Sequence, residues 1–222
     1  MITGSHNPPN YNGFKMVLGS SAIYGEQIQA LRERIIAKQF ATGLGKRSEY
    51  DIFPEYLARI VGDVKLKRKI KIAVDCGNGV GGAFAGELFR ALGCDVQELF
   101  CEVDGNFPNH HPDPAHLENL QDLIKNLKNT DNEIGLAFDG DADRCFVIDE
   151  NGDPVTPSAV AAMVAKREIA RARSIDKDAD ITILYNLITS KVVSEVIASE
   201  GAIGERTKVG HSLIKDRMAA TN

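Results

Sequence analysis

Short apolar strand-like runs alternate with helical segments along this chain of 222 residues, and that alternation predicts an α/β protein. Three observations carry the prediction. Ile70-Lys71-Ile72-Ala73-Val74 and Ile134-Gly135-Leu136-Ala137-Phe138 are bounded by turn residues, as buried strands are. Between such runs, apolar residues recur at helical spacing. Clusters of Gly, Pro, Asn and Ser punctuate the chain wherever the period changes.

Taken in order, residues 24–38 put Ile28, Leu31 and Ile35 on one helical face. Gly43-Leu44-Gly45 breaks the pattern and marks a linker, and a short helix follows Pro54. Strand 70–74 precedes a helix over 80–92 and a strand over 95–101. After a proline-rich loop, 117–127 reads as helix, and 134–138 and 145–148 as strands, the second closed by a turn at Glu150-Asn151-Gly152. Ser158 is a fitting cap for a helix over 158–173. Strand 181–185, helix 190–199, a short strand near 207–209 and a last helical stretch complete the sequence.

An apolar content of 43% supports one large or two small cores. The 26 basic and 31 acidic residues leave a net charge of −5 without a basic block, which argues against nucleic acid or an anionic membrane as main partners. No apolar run reaches a membrane span, and the N-terminus has no signal-peptide core. Cys76, Cys94, Cys101 and Cys145 lack metal-site spacing and read as reduced, buried thiols. Together these features place the chain in the cytoplasm.

Two loops carry chemistry. The first, Thr3-Gly4-Ser5-His6-Asn7-Pro8-Pro9, leads into Asn10-Tyr11-Asn12-Gly13-Phe14-Lys15. Its glycines and prolines restrict the backbone around a hydroxyl nucleophile, with His6 and Lys15 able to carry protons or grip phosphate oxygens. Alone, the same composition also fits a plain surface turn. The second loop is Asp139-Gly140-Asp141-Ala142-Asp143-Arg144, directly after a strand-like run. Three carboxylates at alternate positions repel one another unless a cation sits among them, and an oxygen-only set suits Mg²⁺. Glu150 falls where a calcium hand would need it, but Arg144 replaces the required glycine and the flanks read as strands. A solvated acidic turn is the remaining plain alternative.

In this order, the two loops resemble those of the α-D-phosphohexomutase superfamily, and within it the bacterial phosphomannomutase/phosphoglucomutase branch. Asp75-Cys76-Gly77-Asn78-Gly79, the segment from Asp104 to Pro114, and Val209-Gly210-His211-Ser212-Leu213-Ile214-Lys215 fit the same family, so the resemblance runs through the chain. It implies consecutive α/β domains with mixed sheets sandwiched by helices. Residues 1–48 would be the C-terminal part of a catalytic-serine domain, 49–153 a complete second domain with the metal loop, and 154–222 the opening of a third. The first and third would then be incomplete, and the segment poorly active alone.

The resemblance also implies roles. Ser5 resembles the serine that carries the phosphoryl group, and Asp139, Asp141 and Asp143 resemble the Mg²⁺ ligands, with the Ser5 phosphate as fourth partner. Lys15 looks like the proton-transfer residue. His6 and Arg144 resemble residues that support phosphoserine and substrate, and His211 an active-site histidine. Lys15, Arg144 and His211 would contact the sugar phosphate. The implied reaction interconverts hexose 6-phosphate and hexose 1-phosphate, mannose ahead of glucose, through a hexose 1,6-bisphosphate intermediate.

Two signals compete. Gly77-Asn78-Gly79-Val80-Gly81-Gly82 matches a dinucleotide fingerprint, with Glu102 placed for a ribose, which would make this an NAD-binding oxidoreductase domain. The alternative is a close strand-to-helix turn. His110, His111, Asp113 and His116 could ligate a transition metal, although their spacing favours a structural or interdomain loop. A catalytically inactive scaffold that retains only the phosphate and metal sites is a third alternative.

Overall fold

The computed structural model of the chain describes residues 1–8, 10–19 and 21–221. Its elements, in chain order, are β1 (Val17–Leu18), β2 (Ser21–Ala22), α1 (Glu26–Ile36), α2 (Phe53–Asp63), β3 (Lys71–Asp75), α3 (Ala85–Ala91), β4 (Asp95–Leu99), α4 (Gln121–Asn129), β5 (Ile134–Phe138), β6 (Cys145–Ile148), β7 (Pro154–Val155), α5 (Pro157–Ile175), β8 (Thr182–Asn186), α6 (Lys191–Ser199), β9 (Ile203–Thr207) and α7 (His211–Thr221). They form two compact units. The first holds residues 1–15 and 40–155, the second residues 16–39 and 156–222.

The first unit is built on a five-stranded sheet in the order β4-β3-β5-β6-β7. β3 runs parallel to β4 and β5, whereas β6 runs antiparallel to both β5 and β7, so the sheet is mixed. Successive residues of β3 face opposite sides, and both sides are covered. Ile72 and Val74 pack with Cys76, Ala85 and Phe89 on the α3 side. Ala73 packs with Leu120, Leu123, Leu127, Ala137 and Ile148 on the α4 side. Burying each of Leu123, Leu127 and Ile148 contributes about 2 kcal/mol. Helices on both faces of the sheet bring the C-terminal ends of β3 and β5 together at one rim, where the chemistry-bearing loops sit.

The second unit contains the parallel pair β8–β9, in register from Thr182↔Ile203 to Asn186↔Thr207. Its core is Ala162, Ala165 and Ile169 of α5 against Val193 and Ile197 of α6.

Several elements differ from the sequence reading. The expected helix over 80–92 divides into a 3-10 turn over 80–83 and α3, because Gly79, Gly81 and Gly82 lie against backbone or side chains that leave no room for regular side chains. The cap of α5 is Thr156, whose hydroxyl accepts from the Ala159 N–H, rather than Ser158, since Pro157 already fills the first helical position. The strand expected at 207–209 occurs earlier, as β9. Cys76 is buried, but Cys145 is exposed, and all four cysteines are free. Among the described residues, no helix is long and apolar enough to cross a membrane.

Candidate active site

The serine loop is closed by backbone pairing of its arms. Thr3 N–H donates to the Gly13 carbonyl at 3.0 Å and Lys15 N–H to the Met1 carbonyl at 3.0 Å. Glycine is required at both ends: a Cβ at Gly4 would lie 2.9 Å from the Tyr11 carbonyl oxygen, and one at Gly13 2.6 Å from that of Thr3. Ser5 itself adopts φ 51°, a left-handed conformation that costs a non-glycine residue about 1–2 kcal/mol. Its N–H donates to the Thr3 hydroxyl at 2.8 Å, which helps hold that conformation. Of the Pro8-Pro9 pair expected to stiffen this loop, Pro9 lies outside the described residues.

The acidic loop joins β5 to β6 as a tight hairpin connection, and its strand flanks exclude a calcium hand. Ala142 takes φ 57°, Ala142 N–H donates to the Asp139 carbonyl at 3.0 Å, and Arg144 N–H donates to Asp139 Oδ1 at 3.0 Å. Gly140 is where the two loops meet. A Cβ there would stand 2.1 Å from the Ser5 carbonyl oxygen.

This contact brings the predicted residues of the first unit together. Ser5 Oγ donates to Asp139 Oδ2 at 2.9 Å and lies 3.1 Å from His6 Nδ1. Lys15 Nζ donates to Asp141 Oδ2 at 3.2 Å and to Asp143 Oδ2 at 2.6 Å. Arg144 Nε donates to Asp139 Oδ2 at 3.0 Å, and its Nη2 reaches His6 Nδ1 at 2.5 Å. A guanidinium can only donate, so His6 Nδ1 is the acceptor and the ring proton sits on Nε2, which faces Asp113 Oδ2 at 3.8 Å. His211 begins α7 in the second unit.

Asp139 is fully buried, and the Asp141 side chain is nearly so. Burial pushes the Asp141 carboxyl up, but the Thr3 hydroxyl and Lys15 together hold it below the usual carboxylate range. The Asp143 hydrogen bond is the largest cause that raises the Lys15 ammonium above its ordinary value. One oxygen of each of Asp139, Asp141 and Asp143 lies within 4.8 Å of the others, the one such acidic, His or Cys group among the described residues. Asp141 Oδ1 is buried and has no hydrogen-bond partner among the described residues. An orphaned carboxylate oxygen within an oxygen-only cluster fits a hard divalent cation. A cavity of about 280 Å³ opens beside the cluster, lined in part by Thr3, Ser5, Asn78, Phe107 and Asp141.

The competing signals resolve differently. The Gly77–Gly82 segment is filled by the protein's own backbone: Cβ atoms at Gly79 and Gly82 would lie 2.8 Å from the Gly140 carbonyl oxygen and 2.0 Å from that of Cys101. Those glycines serve close packing of the turn, the reading that competed with a dinucleotide site. His110 pairs with Asp75 rather than forming a metal site with His111, Asp113 and His116.

Sequence reasoning missed two members of the cluster. Thr3 donates from its hydroxyl to Asp141 Oδ2 at 2.9 Å. Asp113, expected in a structural loop, faces His6 and lies 3.5 Å from Arg144 Nη1. Neither has a local signal, because each meets partners that only the fold brings near.

Residues 1–42 match phosphoglucomutase/phosphomannomutase α/β/α domain I, residues 54–152 match domain II, and residues 156–222 match domain III. The chain is 49% identical over 223 residues to a phosphoglucomutase of Neisseria gonorrhoeae, an alignment covering 100% of this chain and 47% of that protein. It is 45% identical over 221 residues to a phosphomannomutase/phosphoglucomutase of Pseudomonas aeruginosa, covering 100% and 46%. A crystal structure of a phosphoglucomutase/phosphomannomutase family protein from Burkholderia thailandensis superposes with a TM-score of 0.93 at 48% identity, covering 99% of this chain and 47% of that one. The chain thus spans about half the length of the curated relatives it matches. With three consecutive domain matches over a mixed, helix-covered sheet, the chain belongs to the phosphoglucomutase/phosphomannomutase family of the α-D-phosphohexomutase superfamily.

Proposed function

We propose that this chain carries the phosphoryl-transfer centre of a hexose-phosphate mutase, with Ser5 as the phosphoryl carrier. The observation that carries the reading is Ser5 Oγ at 2.9 Å from Asp139, inside a carboxylate cluster with an orphaned oxygen. Asp139, Asp141 and Asp143, together with the Ser5 phosphate, would hold Mg²⁺. Bound there, the ion would neutralise phosphate charge and act as a Lewis acid on a phosphoryl oxygen.

The protein's own groups do the rest. In the forward step the Oγ–P bond of phosphoserine breaks as a bond forms between phosphorus and a sugar hydroxyl oxygen. Ser5 Oγ leaves with the electron pair, and a hexose 1,6-bisphosphate results. The bisphosphate then returns its other phosphoryl group to Ser5 by the same exchange. Arg144 shares the partners Asp139 Oδ2 and His6 Nδ1 with Ser5 Oγ, is anchored by Asp139 and Asp113, and would offset charge that develops there. Lys15 is the proposed carrier for the hydroxyl proton. To accept it, Lys15 must first leave Asp143, whose bond is the largest cause of its raised pKa, and give up one ammonium proton, which the departing Ser5 oxygen would take; the neutral amine would then receive the sugar hydroxyl proton. His6 keeps its unprotonated Nδ1 toward Ser5 and Arg144. The left-handed backbone at Ser5 fixes the carrier's direction, and position matters most in a reaction of this kind.

The domain limits we favour are 1–48, 49–153 and 154–222, and we keep His211 of the third domain as a substrate-binding residue. We place mannose phosphates ahead of glucose phosphates as substrates, and the protein in the cytoplasm. The test is phosphoryl uptake. With Mg²⁺ and mannose or glucose 1,6-bisphosphate, the chain should gain the mass of one phosphoryl group, mapped to Ser5 by peptide analysis. Phosphorylation that persists in Ser5→Ala would overturn the assignment.

A further inference from the structure

Gly140 is wedged between the two reactive loops and two supports. Its carbonyl accepts Val80 N–H at 3.0 Å, and its N–H donates to the Pro112 carbonyl at 3.2 Å. The first support is the turn after β3. The second is the segment around His110–Pro112. Neither turn belongs to a strand ladder, so something else must keep them in step.

That tie is a buried ion pair. His110 Nε2 lies 3.1 Å from both Asp75 oxygens, and Nδ1 lies 3.0 Å from the His111 carbonyl oxygen. Both ring nitrogens face oxygens that only accept, so both carry protons and the ring is an imidazolium. Asp75 is 1% exposed and also accepts Gly77 N–H at 2.9 Å. The His110 ring and Pro112 then pack on Gly77, where a Cβ would meet them at 3.1 and 3.2 Å. Asn78, at φ 60°, adds a second link by accepting from Asn109 Nδ2 at 2.7 Å. From there the contacts run to the centre through backbone alone. A Cβ at Gly79 would lie 2.9 Å from Gly140 Cα, and Gly140 touches the Ser5 carbonyl.

We propose that Asp75 and His110 are a positioning pair: they lock the Gly77–Val80 turn to the His110–Pro112 segment, and so set where Gly140 holds Ser5 against Asp139. The link to catalysis rests on the phosphoserine reading above, whereas the link to Gly140 does not. Neither residue touches the reacting atoms. A charge left alone in this place is costly, so both partners should matter and their effects should overlap.

The test is amide hydrogen exchange on the full chain with His110→Phe, which keeps a ring but removes both donors. The Val80 and Gly140 amides should exchange about tenfold faster, while Leu136 and Ala137 in β5 stay protected. Ser5 phosphoryl uptake from a hexose 1,6-bisphosphate should fall about tenfold in parallel. His110→Gln, which restores one donor to Asp75, should recover most of both losses. If His110→Phe does not fold, His110→Gln decides alone: a smaller rise in exchange confined to Val80 and Gly140 supports the pair. Unchanged exchange, or equal change in β5, would overturn it, because a merely structural role loosens the sheet as well. Should the wild-type chain take up no phosphoryl group, the phosphoserine reading fails, and the exchange pattern still decides the positioning pair.

Discussion

The serine loop and the acidic loop hold their side chains by opposite means. Residues 3–8 and 10–15 form a largely exposed excursion whose shape comes from turns, close glycine contacts and one left-handed serine. The acidic loop hangs between two strands whose last pair, Phe138↔Cys145, fixes both of its ends, and its first carboxylate is fully buried. The first loop is shaped by its own dihedral preferences, and the second by the register of a sheet. A nucleophile fixed by its own loop thereby meets an electrostatic reference fixed by a sheet, and the two touch through the backbone at Gly140 and Ser5.

The largest way to break this contrast is to damage the reference. Asp139→Asn leaves the loop's shape but removes the buried charge shared by Ser5 and Arg144. The rate of Ser5 phosphoryl uptake should drop about a thousandfold, and a drop below tenfold would show that the reference lies elsewhere. Next is the contact itself. Gly140→Ala places a methyl where the Ser5 carbonyl now stands, which should cost about 1–3 kcal/mol of stability and about a hundredfold in uptake. Equal effects on a thermal melt but none on uptake would mean that the serine loop adjusts freely.

Lys15→Met probes the charge shared between the loops. It removes the ammonium that now occupies Asp141 and Asp143, so Mn²⁺ titration should show affinity about threefold tighter, while phosphoryl uptake falls about tenfold. Opposite signs in two assays are hard to obtain from a general loss of structure. The smallest effect concerns pH. Burial pulls the His110 imidazole down, but the bonds and charge of Asp75 outweigh it, so its pKa lies above the ordinary value. A raised pKa stabilises the fold fully below the unfolded value of about 6.5, and that contribution fades as pH rises through the folded value. The stability gap between wild type and His110→Gln, measured by denaturant unfolding, should narrow from about pH 5.5 to about pH 8.5. A gap that widens would contradict a charged pair.

Much of this was legible in the residues. β5 and β6 were read at their observed limits, because apolar runs ending at Asp139 and resuming at Cys145 leave little freedom. The division of the 80–92 helix was not legible, since Gly81 and Gly82 look merely permissive until the Ala142 side chain and the Cys101 carbonyl are seen against them. The two-residue hairpin β1–β2 is too short to have a period. In the candidate site, Ser5, His6, Lys15 and the three aspartates are marked by residue type and spacing, and Arg144 by the family resemblance. Thr3 and Asp113 are not so marked. Their partners lie 138 and more than 30 positions away, so topology rather than sequence proximity brings them to the cluster.

The hairpin geometry of the acidic loop also limits how such a protein can diversify. With Phe138 and Cys145 paired across its base, an added residue between them would either bulge the turn or slide β6 by one step, turning its inward face outward. Insertions here are therefore the least tolerated kind of change. Lengthening is easier in segments that disturb no ladder, so the acidic cluster lies where the sequence has least room to grow.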